Sequence, residues 1–175
     1  KAAGLYFSCL ALESGSPRVQ KLIEKHLNIE RFFKTVDLFA ARRIFTNGFN
    51  MLGFPTETRA EMEQTISLTC QSQLHTASFF TVTPFPNTKL HEMASAIYPE
   101  RIGQIRYDDM DYSHTRINFS NEPDAVLFAC QRYAWRRFYT NPKRILRILR
   151  DYPHPWFLMR FAPMLGTRLT KGIFH

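Results

Sequence analysis

Three short clusters along the chain combine glycine or proline with hydroxyl or carboxylate side chains. They are Glu13-Ser14-Gly15-Ser16, residues 53–58 (GFPTET) and residues 83–88 (TPFPNT). Glycine permits close approach of the backbone to a ligand, Ser and Glu can bind hydroxyl or amino groups, and a helix N-terminus favours negative charge. Taken singly, each cluster is more often ordinary turn and capping chemistry. Their chemical value therefore depends on whether the fold brings them together.

Each cluster directly follows an apolar run that predicts a β-strand. The runs cover residues 5–12, 44–52 and 77–82. The segments between them begin with helix-capping patterns, namely Ser16-Pro17, Asn28, and the capping box of Thr58 and Glu61. Strands that alternate with helices predict right-handed βαβ units and a parallel sheet with its strands adjacent in chain order.

The carboxyl ends of parallel strands meet at one edge of a sheet, where ligands of such folds bind. We therefore expect Glu13, Gly53 and Thr83 to lie at the same rim. Three strands do not close a barrel, and residues 5–12 would form an exposed apolar edge. Because the chain also starts at Lys1, the simplest expectation is a fragment whose earlier strands lie upstream.

The composition is that of a folded protein rather than a disordered or disulfide-scaffolded one. The 175 residues are 45% hydrophobic and 22% charged, and no run approaches the length of a membrane-spanning helix or has the pattern of a signal peptide. A cytoplasmic location is therefore expected. The three cysteines, Cys9, Cys70 and Cys130, lie about sixty residues apart and predict buried thiols rather than a disulfide or metal site. The six histidines lack paired metal-ligand spacing, so no metal site is expected within the chain.

The positive charge is concentrated in the C-terminal part. Residues 131–175 contain ten Lys and Arg but a single acid, Asp151, so this segment carries +9 in a chain of net charge +8. Such a tail favours an anionic partner or is simply a solvated face. Within residues 142–151 the aliphatic side chains oppose the cations, and Trp156, Phe157 and Phe161 follow. The aliphatic side either packs on the sheet domain or lies in a lipid interface.

The three strand-end clusters together resemble a known family. The segments ALESGSPRVQKLIEKHLN, FNMLGFPTETRAEMEQT and FFTVTPFPNTKL are similar, in this order and spacing, to the second half of the catalytic barrel of radical S-adenosylmethionine enzymes. The branch is the one that includes cobalamin-binding-domain enzymes and methylthiotransferases. The resemblance covers residues 4–90, and YAWRRFYTNPKRILRILR resembles, more loosely, the basic helical extension of cobalamin-associated members.

The resemblance implies a set of cofactor-binding residues. Glu13 and Ser14 correspond to the residues near the ribose and amino group of bound S-adenosylmethionine, and Lys25 to the basic residue that meets its carboxylate. For Lys25 the alternative is a solvated lysine at a helix end. The remaining positions are those that flank the ribose and adenine: Asn50, Gly53, Thr83 and Pro84. No catalytic side chain can be assigned.

Two departures from the family pattern stand out. Glycine is usual in the family where this chain has Thr56, Asn87 and His26. Asparagine tolerates the left-handed conformation, whereas threonine does not, so the turn at Thr56 is expected to differ. The cluster-binding CxxxCxxC motif is absent. In the family it follows the first barrel strand, so we expect the [4Fe-4S] ligands to lie outside this chain.

The resulting prediction is an α/β fold, a partial TIM-like (β/α) barrel with parallel strands, followed by a mostly helical extension. Residues 1–96 would form the partial barrel, and residues 97–175 a loop-rich crossing segment and the basic extension. The implied function is radical chemistry or methylation with S-adenosylmethionine and a [4Fe-4S] cluster, with or without cobalamin. The chain alone is expected to be inactive. The alternatives are a methylthiotransferase and a non-catalytic membrane- or RNA-binding module.

The resemblance also implies partners. They are a small-molecule or lipid-like substrate and a reductant protein for the cluster. The charge and amphipathicity of the basic tail add, as a separate expectation, a peripheral contact with the inner face of the membrane. A nucleic-acid partner is not expected, since the tail does not resemble the small β-barrel RNA-binding domain that usually follows the catalytic barrel of methylthiotransferases.

Overall fold

The computed structural model describes residues 4–107, 117–152 and 154, and strands alternate with helices through its first part. The strands are β1 (Phe7–Glu13), β2 (Phe45–Leu52) and β3 (Thr76–Thr81). The helices are α1 (Pro17–Leu22), α2 (Ile29–Ala41), α3 (Arg59–Gln71), α4 (Lys89–Ile97), α5 (Pro99–Ile102), α6 (Asp124–Tyr139) and α7 (Pro142–Asp151). The bounds follow the sequence pattern closely, although α1 ends three residues before the predicted residue 25.

Local hydrogen bonds explain where the helices begin. The Asn28 side chain accepts from the backbone N–H of Arg31 at 2.8 Å, and Ser16 accepts from Val19 at 3.2 Å. At the start of α3, Thr58 and Glu61 form the predicted capping box. These side chains satisfy N–H groups that have no partner within the helix.

The three strands form one parallel sheet in the order β1-β2-β3. Phe7 pairs with Phe45, and Asn47 pairs with Thr76. A β-bulge between Ala11 and Glu13 interrupts the register where β1 ends. The predicted fold class is confirmed: a parallel sheet with helices, in the arrangement of a partial β/α barrel, followed by the helical extension α6 and α7.

One face of the sheet carries the main hydrophobic core. Helices α2, α3 and α6 pack there with the strands, and α6 contacts both α3 and β3. The fully buried side chains of this core include Leu12, Val36, Leu52, Met62, Ile66, Phe79, Leu127 and Phe138. On the other face, Phe49 and Phe80 stay half-buried, with their rings 6.0 Å apart.

Strand β1 is less buried than the apolar run predicts. Leu5, Tyr6 and Phe7 are all exposed, because β1 pairs with β2 along one edge only. Cys9 is also exposed, so the prediction of a buried thiol is wrong there. It is confirmed for Cys130, while Cys70 is half-buried. An edge strand alternates its side chains across two faces, and only one face of β1 meets the core.

Buried charges join α7 to the amino ends of the strands. Arg144 is 2% exposed and donates to the carbonyl oxygens of Leu74, of Cys70 (2.8 Å) and of Ser72 (3.2 Å). Burial lowers the pKa of Arg144 to about 10, so the guanidinium stays charged at neutral pH. These bonds satisfy carbonyl groups where α3 ends and the chain turns into β3.

The second buried charge in this region is Asp151. Its carboxylate lies 3.1 Å from His75 Nε2 and accepts two hydrogen bonds of 2.7 Å from Arg150, which lower its pKa to about 2. His75 Nδ1 accepts from the backbone N–H of Thr46 at 3.0 Å, so the ring proton is on Nε2 and points to Asp151. Burial lowers the pKa of His75, which keeps the ring neutral.

Within the described ranges, no helix is both long enough and apolar enough to cross a lipid bilayer.

Candidate functional site

The carboxyl ends of the three strands surround a pocket of about 540 Å³. Glu13, at the end of β1, and Thr83, just after β3, both line it. The other lining residues are mostly apolar: Leu22, Ile23, Glu24, Met51, Phe54, Phe80, Thr81, Phe85, Thr88, Lys89, Leu90 and Met93. A pocket of this volume is in the range that holds a small ligand, and its position is where parallel α/β folds bind ligands.

An ion pair connects two of the predicted site residues. Lys25 Nζ lies 2.6 Å from Glu13 Oε1, with the side chains 34% and 23% exposed. Two features of the backbone produce this approach. Glu13 adopts a φ of 59° at the bulge, and the chain after α1 folds back through positive φ angles at Glu24 and His26. The pair therefore combines a carboxylate on the pocket wall with an ammonium group that remains reachable from solvent.

Two other predicted residues face away from the pocket. The Ser14 hydroxyl lies 3.3 Å from Thr65 Oγ1 and is fully buried. The Asn50 side chain accepts from Thr69 Oγ1 at 2.7 Å and donates to the Ser78 carbonyl oxygen at 3.1 Å. Both side chains bind the sheet to α3 or to the next strand, and neither is among the residues that line the pocket. Any contact with a ligand there would come from their backbone.

Gly15 explains how the first loop comes so close to α3. Its backbone N–H donates to Thr65 Oγ1 at 2.8 Å. A Cβ atom at Gly15 would lie 2.9 Å from Thr65 Cα, a separation that packed side chains do not tolerate. The first loop thus requires glycine because it approaches the α3 backbone.

The loop after β2 is organised around a buried carboxylate, Glu57. Its Oε2 accepts from the backbone N–H of Gly53 at 2.6 Å and of Phe54 at 3.0 Å. Gly53 has a φ of 89°, which glycine adopts without strain. Burial raises the pKa of Glu57 to about 7, against the opposing effect of these two hydrogen bonds. Glu57 thereby holds the Gly53 turn next to the pocket wall formed by Phe54.

Arg18 of α1 forms a clamp that joins the start of its helix to Glu61 of α3 and to the second loop. Arg18 Nε and Nη2 each donate to a different oxygen of Glu61 at 2.7 Å. Mainly through Arg18, the pKa of Glu61 falls to about 2. Arg18 also donates to Thr56, to Oγ1 at 3.0 Å and to the carbonyl oxygen at 2.9 Å. A bidentate pair of this kind fixes orientation as well as charge.

The clamp explains the conformation of Thr56. The sequence led us to expect a different turn there, and that expectation is wrong, because Thr56 has a φ of 64°. Asn87 and His26 also have positive φ angles, 64° and 47°. All three positions at which the resembled family usually has glycine thus adopt the conformation that glycine favours. In Thr56 the strain is compensated by the two hydrogen bonds from Arg18.

The loop after β3 and the start of α4 complete the pocket. Lys89 forms an ion pair with Glu24, which lowers the pKa of that exposed carboxyl. Thr88 caps α4 by accepting from the His91 N–H at 3.2 Å. Pro84 is buried, and its carbonyl oxygen accepts from the Tyr107 hydroxyl at 2.8 Å. Its role at the rim is therefore to shape the loop.

The residues that sequence reasoning did not single out as site residues are Glu57 and Arg18. Glu57 lies within the second cluster and Arg18 just beyond the first, so their positions in the sequence could have marked them as candidates. Nothing in the local pattern distinguishes a carboxylate that binds its own turn from an exposed one. Arg18 acts on Thr56 and Glu61, which are 38 and 43 residues away.

The lining of the site suits an amphipathic small molecule. Among the residues that the structure describes, no group of three or more His, Cys, Asp or Glu side chains is arranged to hold a metal ion. The pocket instead offers an apolar wall and the Glu13 carboxylate. Lys25, which pairs with Glu13, lies outside the pocket lining and borders a neighbouring cavity.

Comparisons with known proteins find relatives of this chain at low identity. No family model matches the chain. Over 163 residues, 93% of this chain and 34% of the relative, it is 28% identical to an uncharacterized methyltransferase of Pyrococcus horikoshii. It is 30% identical over 115 residues, 64% of this chain, to the tRNA-2-methylthio-N(6)-dimethylallyladenosine synthase of Kineococcus radiotolerans, covering 22% of that enzyme.

A third relative has the same name as the second. The enzyme of the same name from Solibacter usitatus is 31% identical over 99 residues, 55% of this chain and 22% of that enzyme. The chain thus spans about a third of the length of the first relative and about a fifth of the other two. At this low identity, the relatives support a relationship to methyl- and methylthio-transferring enzymes.

Proposed function

We propose that this chain forms the S-adenosylmethionine-binding rim of a radical S-adenosylmethionine enzyme that transfers methyl or methylthio groups. The observation that carries the proposal is the Glu13–Lys25 ion pair beside an apolar pocket at the carboxyl ends of three parallel strands. The motif resemblance and the relatives support the same class. Because the chain spans only part of those relatives, the activity belongs to the intact natural protein.

The chemistry of the pocket suits S-adenosylmethionine. An adenine ring needs an apolar wall, which Met51, Phe54 and Leu90 supply. Ribose hydroxyls and an α-amino group need an acceptor, which Glu13 offers, and an α-carboxylate needs a cation, which Lys25 offers. On binding, the carboxylate and the ammonium of the ion pair would exchange part of their mutual contact for contacts to the ligand.

Bound S-adenosylmethionine supplies either a transferable methyl group or, after one-electron cleavage, a 5′-deoxyadenosyl radical. In either case, the residues of this chain orient the cofactor and keep water away from it. The apolar pocket wall excludes water, and the Arg18–Glu61 clamp holds the first two loops at a fixed separation. The described residues offer no ligand set for a [4Fe-4S] cluster.

A second candidate is the reaction named by several relatives, tRNA methylthiolation. It is favoured by matches at 30% and 31% identity to tRNA-2-methylthio-N(6)-dimethylallyladenosine synthases. Both candidates use the same cofactor rim, so they differ in substrate. Incubating the intact, reduced natural enzyme with tRNA that lacks the modification separates them: a methylthio-adenosine product supports the second candidate, and unchanged tRNA excludes it.

The cofactor proposal is tested by calorimetric titration of the intact natural protein with S-adenosylhomocysteine and S-adenosylmethionine. Glu13→Gln and Lys25→Gln should each weaken binding of S-adenosylmethionine about tenfold or more, since a hydrogen bond to a charged group is lost. The matched controls are Glu30→Gln and Lys21→Gln, at exposed positions that are not among the residues lining the pocket. Unchanged affinity in both rim variants would refute the assignment.

A further inference from the structure

Helix α7 is docked on the protein by its polar side. Arg144 and Asp151 are both buried by contacts with residues around β2 and β3. They lie seven residues apart along the helix. The Arg144 guanidinium also lies 3.6 Å from the centre of the Phe138 ring. Because residues i and i+7 lie on the same side of a helix, these two anchors fix its rotation.

Most of the aliphatic side of the helix consequently faces outward, while Ile148 is half-buried. Leu146 is 67% exposed, Leu149 49% and Ile145 43%, and we refer to these three residues as the α7 stripe. The alternative in which the aliphatic side packs on the sheet domain therefore does not hold for these three residues. Three adjacent aliphatic side chains in water on one short helix are unfavourable, because each would gain free energy on leaving water. They mark a surface for contact with something else.

The charges beside the stripe are positive. Lys143 and Arg150 are exposed and lie along one edge of the stripe on the helical wheel. The acid of α7, Asp151, has a side chain that is 0% exposed. The outward side of the neighbouring α6 is also basic, with Arg132, Arg136 and Arg137 exposed. The outward surface of α7 thus combines aliphatic side chains with cations and has no exposed carboxylate.

We propose that the α7 stripe docks on an anionic phospholipid bilayer. The helix has ten residues and is therefore about 15 Å long, so it would lie in the plane of the interface. Aliphatic side chains would enter the acyl boundary while Lys143 and the partly exposed Arg150, which also pairs with Asp151, face the headgroups. A second copy of the chain is opposed by the like charges on both surfaces, and RNA would leave the aliphatic side chains in water.

The test is co-sedimentation of the intact protein with vesicles of phosphatidylglycerol and of phosphatidylcholine at low and high salt. We expect binding to the anionic vesicles, weakened by salt. The variant Leu146→Gln/Leu149→Gln should lower the partition coefficient about tenfold or more. The matched control is Leu38→Gln/Ile97→Gln, which changes two exposed aliphatic residues on other helices and should leave partitioning unchanged.

A second variant probes the charges without touching the stripe. Lys143→Glu should also weaken binding to phosphatidylglycerol, and far-ultraviolet circular dichroism verifies that each variant is folded. No binding of the natural protein to anionic vesicles at low salt would overturn the proposal, as would equal partitioning of the stripe variant. Concentration-dependent dimerisation lost in the stripe variant, without any effect on vesicles, would assign the surface to a second copy instead.

Discussion

Charged side chains occupy both ends of the sheet, but they are used differently. At the carboxyl ends, Glu13 and Lys25 form one ion pair that is partly exposed and lies beside empty volume. At the amino ends, Asp151 and Arg144 are buried, and the carboxylate and the guanidinium have several partners each. A group with several partners is committed to the fold, whereas a partly exposed pair can exchange a partner for a ligand.

The charges at the amino ends of the strands therefore serve stability, and those at the carboxyl ends serve binding. In β/α barrels generally, residues at the amino ends of the strands serve stability and those at the carboxyl ends serve chemistry. Glu57 is the exception within the rim. It lies at the carboxyl end of β2 and yet is as buried as Asp151, so its charge should cost stability where the charge of Asp151 contributes it.

The largest expected change in the free energy of unfolding follows a substitution at the amino ends of the strands. Arg144→Met removes the donor to three carbonyl groups, so it should lower the free energy of unfolding by about 3 kcal/mol. Arg144→Lys should lose nearly as much, because an ammonium lacks the planar fork. Lys25→Met, at the rim, should cost less than about 1 kcal/mol. Urea unfolding at pH 7 measures all three.

The control for this series is Lys143→Met at the neighbouring exposed position of the same helix, expected within about 0.5 kcal/mol of the natural protein. A larger loss from Lys25→Met than from Arg144→Met would reverse the assignment of stability to the amino ends.

The next effect concerns Glu57 and depends on pH. Its pKa rises from the ordinary value near 4.5 to about 7 on folding, so the folded state binds the proton more tightly. Glu57 therefore favours folding below about pH 4.5, and this contribution is lost as the pH rises through about 7. Glu57→Gln keeps an acceptor for Gly53 and Phe54 without the charge. The variant should gain up to about 3 kcal/mol relative to the natural protein between pH 4.5 and pH 8.

Urea unfolding of the two proteins at several pH values measures this difference. His75, whose pKa falls on folding, has the opposite sign: it contributes stability above its unfolded pKa of about 6.5 that is lost as the pH falls. Since His75 is present in both proteins, its contribution cancels. A difference that stays constant with pH would mean that Glu57 is ionised at neutral pH and is another committed charge.

The smallest expected change in stability follows a substitution in the loop after β2. Thr56→Gly removes the strain of a β-branched residue at a φ of 64° and should raise the free energy of unfolding by about 0.5–1 kcal/mol. Asn87→Gly is the matched control at the same φ and should gain less, because asparagine tolerates this conformation. Thermal unfolding detects both changes. A loss of stability in Thr56→Gly would assign more weight to the hydrogen bond between Arg18 and Thr56 Oγ1 than to backbone strain.

Much of the sheet and its rim could be predicted from the sequence. The helix starts at Ser16, Asn28 and Thr58 depend on hydrogen bonds within three residues, so the local pattern carries them. The parallel order of the strands follows from the handedness of βαβ connections. The meeting of Glu13 and Thr83 at one pocket follows from that order.

The side-chain directions at the rim could not be predicted in this way. Ser14 and Asn50 were predicted from a motif, but their side chains face α3 and the neighbouring strand. Thr56 adopts its left-handed conformation while it accepts two hydrogen bonds from Arg18, a residue of α1 that lies 38 positions earlier in the chain. These outcomes depend on groups that lie far apart in the chain.

Helix α7 shows most clearly which features the sequence determines and which depend on tertiary structure. The sequence by itself determined that residues 142–151 form a helix with an aliphatic side and a cationic side, since Asn141 and Pro142 start it and the spacing divides its faces. Which side is buried was decided by tertiary structure, because three carbonyl groups 70 to 74 residues away require the Arg144 donors. Periodicity measures local amphipathicity, whereas burial depends on unsatisfied hydrogen-bonding groups that only the folded chain brings together.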